Sequence, residues 1–492
     1  MRFPRRQVIK LVPVIPVLIM LAGCSATPEV NEPAPTPVEI FIDPGATPIP
    51  TRAPFPAGEI FSYTAQNGDT LEAIAAHFNS TVAEIRDANP DLPEAVTTLP
   101  AGYPMRIPAY YEPLGGPAFK ILPDSEAANG PTAVGFDIEN EIRSSPGYLA
   151  GLESYANDKQ RTSWNVVEVI SANYSINPRL LLALLEYQTG ALSRPDVPDD
   201  VLRYPLGVED FRWRGLYLQL SWAAERINNG YYGWRTGTLD ELTLADGLVL
   251  RPDPWQNAGT VAVQSFFAGV YGEEEFERAV SPAGFYQTYY QLWGDSFELE
   301  QVFIPGSLQQ PELILPFMPN RIWDFSGGPH HSWGTSLPLG ALDFAPPSEQ
   351  SGCIPSDEWF TAPADGVITR SEEATVVLDL DGDGDPRTGW VLFFYHIATE
   401  GRIPEGTAVR QGDLLGHPSC EGGRATGTHI HVARLYNGEW IPAGGSIPFV
   451  LDGWVAAYGD EPYEGTLMKG SKIVPASPSS KAENQIIYSL PE

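Results

Sequence analysis

The sequence predicts a multidomain chain: a small βααβ module near the N-terminus, a helical middle region and a C-terminal all-β domain. Three observations lead there. A length of 492 residues suffices for about three domains at roughly 150 residues each. The apolar pattern changes near residue 300, from helical spacing to short apolar runs between Gly/Pro turns. Of 7 histidines, all but His77 fall between His330 and His431, so one region holds most of the chemistry-bearing side chains.

Composition bounds the function. Acidic residues outnumber basic ones 62 to 30, for a formal charge of -32. A nucleic-acid surface needs clustered Lys and Arg and does not fit; the acidity reads as solubility outside the cell. Arg2, Arg5, Arg6 and Lys10 precede an apolar run, Leu11 to Leu21, too short to span a bilayer. It ends in Leu21-Ala22-Gly23-Cys24, which resembles a bacterial lipobox. The resemblance implies a lipoprotein signal peptide over 1–24, diacylation of Cys24, and an extracytoplasmic protein lipid-anchored to the cell membrane. Pro4 to Lys10 also resembles, weakly, a twin-arginine export signal. With Cys24 so used, Cys353 and Cys420 remain, and in an exported chain they are expected to form a disulfide. The alternative is a pair of thiolate metal ligands.

Residues 25–58 are rich in Pro, Thr and Ala and read as a stiff tether. The module follows, over 61–109. Tyr63 begins a strand, and Asp69 or Thr70 caps a helix carrying Leu71, Ile74, Ala75 and Phe78. Thr81 to Ile85 opens a second helix, ending near Asn89-Pro90, and Ile107-Pro108 closes a second strand. Gly68, Asp69, Thr70, Leu71, Ile74, Ala75, Phe78, Asn89, Gly102, Ile107 and Pro108 in this order resemble a LysM domain. That resemblance implies affinity for N-acetylglucosamine polymers such as peptidoglycan.

The helical region spans 130–300, with periodic runs at Trp164–Ser175, Asn177–Thr189, Leu216–Asn228 and Trp255–Val270. Ile176 to Gly190 resembles the first active-site helix of lysozyme-like lytic transglycosylases. Those enzymes place an acid just before a Ser and a Gly; here the slot reads Gln188-Thr189-Gly190. Gln cannot donate a proton as a carboxylic acid does, and Glu186 stands about 200° round the helix. A helical, transglycosylase-like but non-catalytic domain is therefore expected.

From 310 to 465 the clearest strands are Val367–Thr369, Thr375–Leu378, Val391–Tyr395 and Ile430–Leu435; the tail, 471–492, is polar and is expected to be flexible. Thr428-His429-Ile430-His431 puts two imidazoles on one face of a strand, because strand side chains alternate. Asp343 and His330 stand upstream, and His396 ends the run Phe393-Phe394-Tyr395. Three N/O donors plus an open position is the composition of a catalytic zinc site.

Gly328-Pro329-His330, Asp343 after a longer loop, Thr428 to His431, Cys420-Glu421-Gly422-Gly423 and Leu435-Tyr436-Asn437-Gly438 together resemble the lysostaphin/LytM-type zinc endopeptidases, specifically the β-lytic branch. The resemblance implies zinc ligation by His330, Asp343 and His431, with His396 and His429 flanking the attacking water as acid, base or oxyanion stabiliser. His331 competes with His330, whose Gly-x-His register fits better. His417 reads as structural. Asp379, Asp381 and Asp383 resemble the start of a calcium loop, but Trp390 stands where an EF-hand needs Glu, so a polar hairpin turn is the preferred reading and Ca²⁺ the alternative. The resemblances together imply a membrane-tethered zinc metalloendopeptidase that hydrolyses peptide cross-links of bacterial peptidoglycan. A catalytically silent wall-binding scaffold and a protease for Gly-rich proteins are the competing readings.

Overall fold

The βααβ module forms as its sequence requires. Strand β1 (Glu59–Thr64) pairs antiparallel with β2 (Pro104–Ala109), and between them lie α1 (Leu71–His77) and α2 (Val82–Ala88). Thr70, not Asp69, caps α1, its Oγ1 accepting from Ala73 N; Asp69 accepts instead from Tyr63 Oη and Gln66 N. Thr81 and Glu84 form a capping box on α2. Ile74, Phe78, Ile85 and Ile107 fill the module's core. The computed structural model describes residues 55–110, 116–156 and 159–489. The signal segment, Cys24 and the tether as far as residue 54 lie outside the described residues. Among the described residues no helix is long and apolar enough to cross a membrane.

His77 shows how closely the module meets the helices. Its buried ring stacks on Trp234, centroids 3.6 Å apart, and Nε2 lies 2.9 Å from Trp234 O. Burial pushes its pKa down to about 3. The unfolded state therefore binds the extra proton between about pH 6.5 and 3, and stability drains away as pH falls through that window. We expect a slope approaching about 1.4 kcal/mol per pH unit from this residue. His77→Phe should flatten that part of the stability–pH curve, measured by denaturant titration; an unchanged slope contradicts the assignment.

The helical region consists of α3 (Asp124–Ala127), α4 (Ile138–Ser144), a hairpin β3 (Glu153–Ala156) and β4 (Lys159–Thr162), α5 (Ser163–Tyr174), α6 (Pro178–Thr189), α7 (Asp199–Arg203), α8 (Leu216–Arg235), a hairpin β5 (Leu242–Thr243) and β6 (Val249–Leu250), α9 (Ala258–Ala268), α10 (Glu273–Ala279) and α11 (Phe285–Trp293). Helix α8 runs past the expected end at Asn228 because Tyr231, Tyr232 and Trp234 continue its buried face. Gly230 makes the α8–α9 crossing possible: a Cβ there would stand 2.5 Å from Ser265 Cβ.

The β-domain strands are β7 (Ile322–His331), β8 (Leu339–Ala345), β9 (Phe360–Thr361), β10 (Gly366–Glu372), β11 (Thr375–Asp379), β12 (Trp390–Tyr395), β13 (Ala408–Val409), β14 (Leu414–Gly416), β15 (Ile430–Tyr436), β16 (Glu439–Trp440), β17 (Val450–Leu451), β18 (Trp454–Tyr458), β19 (Gly465–Lys469), β20 (Lys472–Pro475) and β21 (Gln485–Ile487). The main sheet runs β13-β10-β11-β12-β15-β8-β7-β21, with β16 on β15. Both faces are covered. Val377, Val391, Phe393, Ala433 and Leu435 pack on the helices, while Val376, Leu378, Leu392, Phe394 and Val432 fill a second core. Two-sided burial explains the unbroken apolar run Val391–Phe394.

One expectation is corrected. The tail as far as residue 489 is anchored rather than loose: β20 pairs with β19, and β21 covers the edge of β7. Ile486 and Tyr488 are buried, and Asn484 Nδ2 donates to Phe325 O and Ser477 O. Overall polarity hides these few anchoring residues. The expected β-domain limit at 465 accordingly keeps only the first residue of β19 and leaves out β20 and β21. At Asp379, Asp381 and Asp383 the preferred reading, a polar hairpin turn, is what forms; their carboxylates cluster, but calcium, the alternative, is not supported. They form the β11–β12 turn and use their oxygens on it: Asp379 accepts from Asp381 N and Gly384 N, Asp381 from Asp383 N, and Asp383 from Asp385 N and Thr388 Oγ1.

Candidate metal centre

Three neighbouring strands carry the central donors. Asp343 on β8 and His431 on β15 are direct cross-strand partners, so their side chains share one face. His330 lies on β7, where successive register shifts between Phe325 and His331 break the regular pairing. Such bulges re-aim a side chain, here toward Asp343. The chain must also come very close: a Cβ on Gly327 would stand 2.7 Å from Asp343 Oδ2, and one on Gly328 2.2 Å from Glu464 O.

His330 Nε2 lies 3.0 Å from His431 Nδ1 and 3.2 Å from Asp343 Oδ1; His431 Nδ1 lies 3.4 Å from the same oxygen. The three residues are 2%, 8% and 7% exposed. Backbone carbonyls set the protonation of each ring. His330 Nδ1 faces Gly328 O at 2.8 Å, and His431 Nε2 faces Ser332 O at 3.1 Å. A carbonyl only accepts, so those nitrogens carry the hydrogen and the other two present lone pairs inward when the rings are neutral. Asp343 Oδ1 is buried and accepts no hydrogen bond. Three lone pairs thus converge on one point, an arrangement that repels unless a cation sits among them. Donors on a tetrahedron with bonds of about 2.05 Å stand about 3.3 Å apart, close to the spacings seen. The donor set therefore fits zinc, with carbonyl partners orienting both imidazoles as metal-binding histidines require.

With no cation in place, the Asp343 carboxylate instead draws a proton toward His330. Burial alone would raise the Asp343 carboxyl, but the facing His330 and His429 outweigh it and hold it well below the usual range. Burial opposes a charge on His330, yet Asp343 overcomes this and raises its pKa. His431 is lowered by burial.

His429 and His396 border the cluster without joining it. His429 Nδ1 donates to Gly427 O at 2.8 Å, leaving Nε2 3.7 Å from Asp343 Oδ2. His396 Nδ1 donates to Glu421 O at 2.9 Å, and its ring centroid is 4.6 Å from that of His429. Burial, then the neighbouring His429, push the His396 pKa down to about 4. His396 holds a left-handed backbone, φ 63°, unusual for a non-glycine residue. Ser419 pins it there, N and Oγ both donating to His396 O at 2.7 and 2.9 Å.

The other sequence candidates separate cleanly. His331 turns away, its Nδ1 donating to Ser336 O. His417 donates to Glu358 O and packs on Trp359 outside the cluster. Cys353 and Cys420 form the disulfide. It ties the 419–421 loop that holds His396, and it walls a cleft of about 620 Å³ lined also by His417, Glu421 and Thr428. Opening a cross-link between residues 67 apart costs about 4 kcal/mol by loop closure. We expect Cys353→Ala/Cys420→Ala to lose about that much unfolding free energy; a change within about 1 kcal/mol contradicts it. Tyr463 was not legible as a site residue. It stacks on His330 at 4.2 Å, and its backbone clamps Gly328 and Pro329. An isolated Tyr beyond the last recognisable motif carries no periodic signal.

Comparison with known proteins adds the following. Residues 63–108 match the LysM domain, and residues 120–305 match the domain described as LasA, N-terminal domain. The helical region, expected to be transglycosylase-like, thus finds its match in that second description. Protease LasA of Pseudomonas aeruginosa, in strains UCBPP-PA14 and PAO1, is 25% identical over 364 residues, 70% of this chain and 78% of the relative. Among solved structures, the M23 metalloprotease pseudoalterin from the deep sea is 24% identical, covering 34% of this chain and 96% of that one, TM-score 0.30. The catalytic domain of lysostaphin from Staphylococcus simulans is 18% identical, covering 25% of this chain and 90% of its own, TM-score 0.18.

Proposed function

From a chain that carries a LysM domain and a LasA N-terminal domain and is similar to Protease LasA, we propose that the protein is a zinc metalloendopeptidase that hydrolyses peptide cross-links of bacterial peptidoglycan. The observation that carries this reading is the convergence of His330 Nε2, His431 Nδ1 and Asp343 Oδ1 with two further imidazoles beside them. Zinc, when bound there, supplies Lewis acidity that polarises a peptide carbonyl and makes water acidic enough to attack near neutral pH.

The protein's own groups manage the protons. The Nε2 lone pairs of His429 and His396 are the free bases at the site. His429, with Asp343 Oδ2 nearby, takes the proton of the attacking water and returns it to the departing amine. His396, kept neutral by burial, accepts a hydrogen bond from the same water and orients it. The LysM domain raises local substrate concentration by holding N-acetylglucosamine polymers. The helical region contributes no acid at Gln188, whose Oε1 accepts from Tyr271 Oη. Acylation of Cys24 would anchor the enzyme to the cell membrane as an extracytoplasmic lipoprotein, with the Pro-rich segment as tether, a point that the mass of the mature N-terminal peptide tests.

Hydrolysis of purified peptidoglycan with and without chelator tests the reading; equal solubilisation in both arms overturns it. His429→Ala should keep the metal and lose about 10²–10⁴ of turnover. Full biological function with that variant would favour the silent scaffold instead.

A further inference from the structure

The connection from the helical region to the β-domain, residues 301–308, lies against two loops of the LysM domain and is held there by main-chain recognition. Asn67 uses both ends of its amide: Nδ2 donates to Gln301 O at 2.8 Å and Oδ1 accepts from Ile304 N at 3.1 Å. Thr98 Oγ1 donates to Pro305 O at 2.7 Å and accepts from Leu308 N at 2.9 Å. Thr98 O accepts from Ser307 N, and Thr97 Oγ1 donates to Leu308 O. Every partner on the connection is a backbone atom. Among the described residues its side chains make no hydrogen bond to these loops: Phe303, Ile304 and Leu308 are buried with Ala128 and Ile441, Ile304 and Leu308 also line a cavity beside Gly68, Thr70 and Thr98, and Asn437 Nδ2 donates to the backbone Phe303 O.

An N-acetylated glycan offers the same kinds of group as this backbone. Its acetamido unit is a secondary amide, with one N–H and one C=O, set among hydroxyls. Side chains that read a peptide backbone without regard to sequence are suited to it. Within the LysM domain the other polar side chains on these loops are also committed. Asp69 is bonded to Tyr63 and Gln66, and Gln66 Nε2 donates to Gln256 O.

We propose that residues 301–308 are the resident ligand of the LysM domain, occupying the Asn67, Thr97 and Thr98 groups in place of an N-acetylated glycan, so that glycan capture at these loops requires the connection to leave. This rests on the reading that the domain binds N-acetylglucosamine polymers. Binding to the wall and latching of the connection are then alternatives. Because Ile304 and Leu308 also pack on Ile441, just beyond β16, release would be felt in the β-domain.

The test is hydrogen exchange on the full chain with a hexamer of N-acetylglucosamine. Saturating hexamer should speed exchange at the Ile304, Ser307 and Leu308 amides at least tenfold. Gly306→Val supplies the converse, since a Cβ there would stand 2.5 Å from Pro100 Cγ and wedge the latch open. It should speed the same amides without hexamer and tighten hexamer binding about tenfold; Leu308→Ser serves if the valine variant does not fold. Hexamer bound with those amides unchanged overturns the proposal, as does a freed connection with unchanged affinity. Binding to neither protein also overturns it, while peptidoglycan hydrolysis, measured in parallel, judges the enzymatic reading separately.

Discussion

Replacing His431 by alanine is expected to remove the bound metal and at least about 10³ of hydrolytic rate while leaving the fold intact. Two of the three converging donors cannot close a tetrahedral site with its substrate position open. Loss of Lewis acidity worth several kcal/mol corresponds to about three decades in rate or more. The fold should survive because β15 is held by backbone pairing to β8 and β12, with Ile430 and Val432 fully buried on the opposite face. The lone-pair argument adds a sharper expectation. Without metal, and at a pH high enough to leave His330 neutral, His431→Ala should be no less stable than the wild-type chain, because truncation relieves repulsion between facing lone pairs of His330, His431 and Asp343. Metal analysis and metal-free denaturant melts of both proteins check this. A variant that retains stoichiometric zinc, or a wild-type chain that is markedly the more stable without metal, contradicts it.

Arg235→Met is expected to lower unfolding free energy by about 3–5 kcal/mol, the usual cost of breaking one side of a buried ion pair. The guanidinium, 8% exposed as a residue, sits at the end of α8 where all three parts of the chain meet. Nε donates to Glu439 Oε1 and Nη2 to Glu439 Oε2, both at 2.9 Å; Nη2 also donates to Tyr231 Oη. Nη1 donates to Asn67 O in the LysM domain and lies 3.2 Å from Asp124 Oδ2. Truncation strands two buried carboxylates. Adding Glu439→Gln should therefore recover part of the loss, because the double variant no longer buries that lone charge. Denaturant unfolding followed by tryptophan fluorescence reads both. Strict additivity of the two substitutions would contradict the coupling.

How much of this was legible depends on the kind of signal each residue carries. The His429-Ile430-His431 pair could be placed because strand alternation needs only local sequence, and the structure sets both imidazoles beside Asp343. The strands beneath His330 and Asp343 were not legible. Gly327, Gly328 and Pro329 and the repeated register shifts erase the alternation that would mark β7. The same irregularity aims His330, so what hides the strand also builds the site. Strand β21 escaped because Ile486 and Tyr488 are isolated in a polar stretch. The packing of the LysM domain on the helices escaped as well. Its anchors, His77 on Trp234 and Arg235 on Asn67 and Glu439, pair residues more than a hundred positions apart.

The most direct measurement is X-ray absorption at the zinc edge on the purified full chain. The account predicts about one zinc per chain, with imidazole nitrogen and carboxylate oxygen at about 2.0–2.2 Å. Absence of zinc, or sulfur scattering at about 2.3 Å, would contradict it.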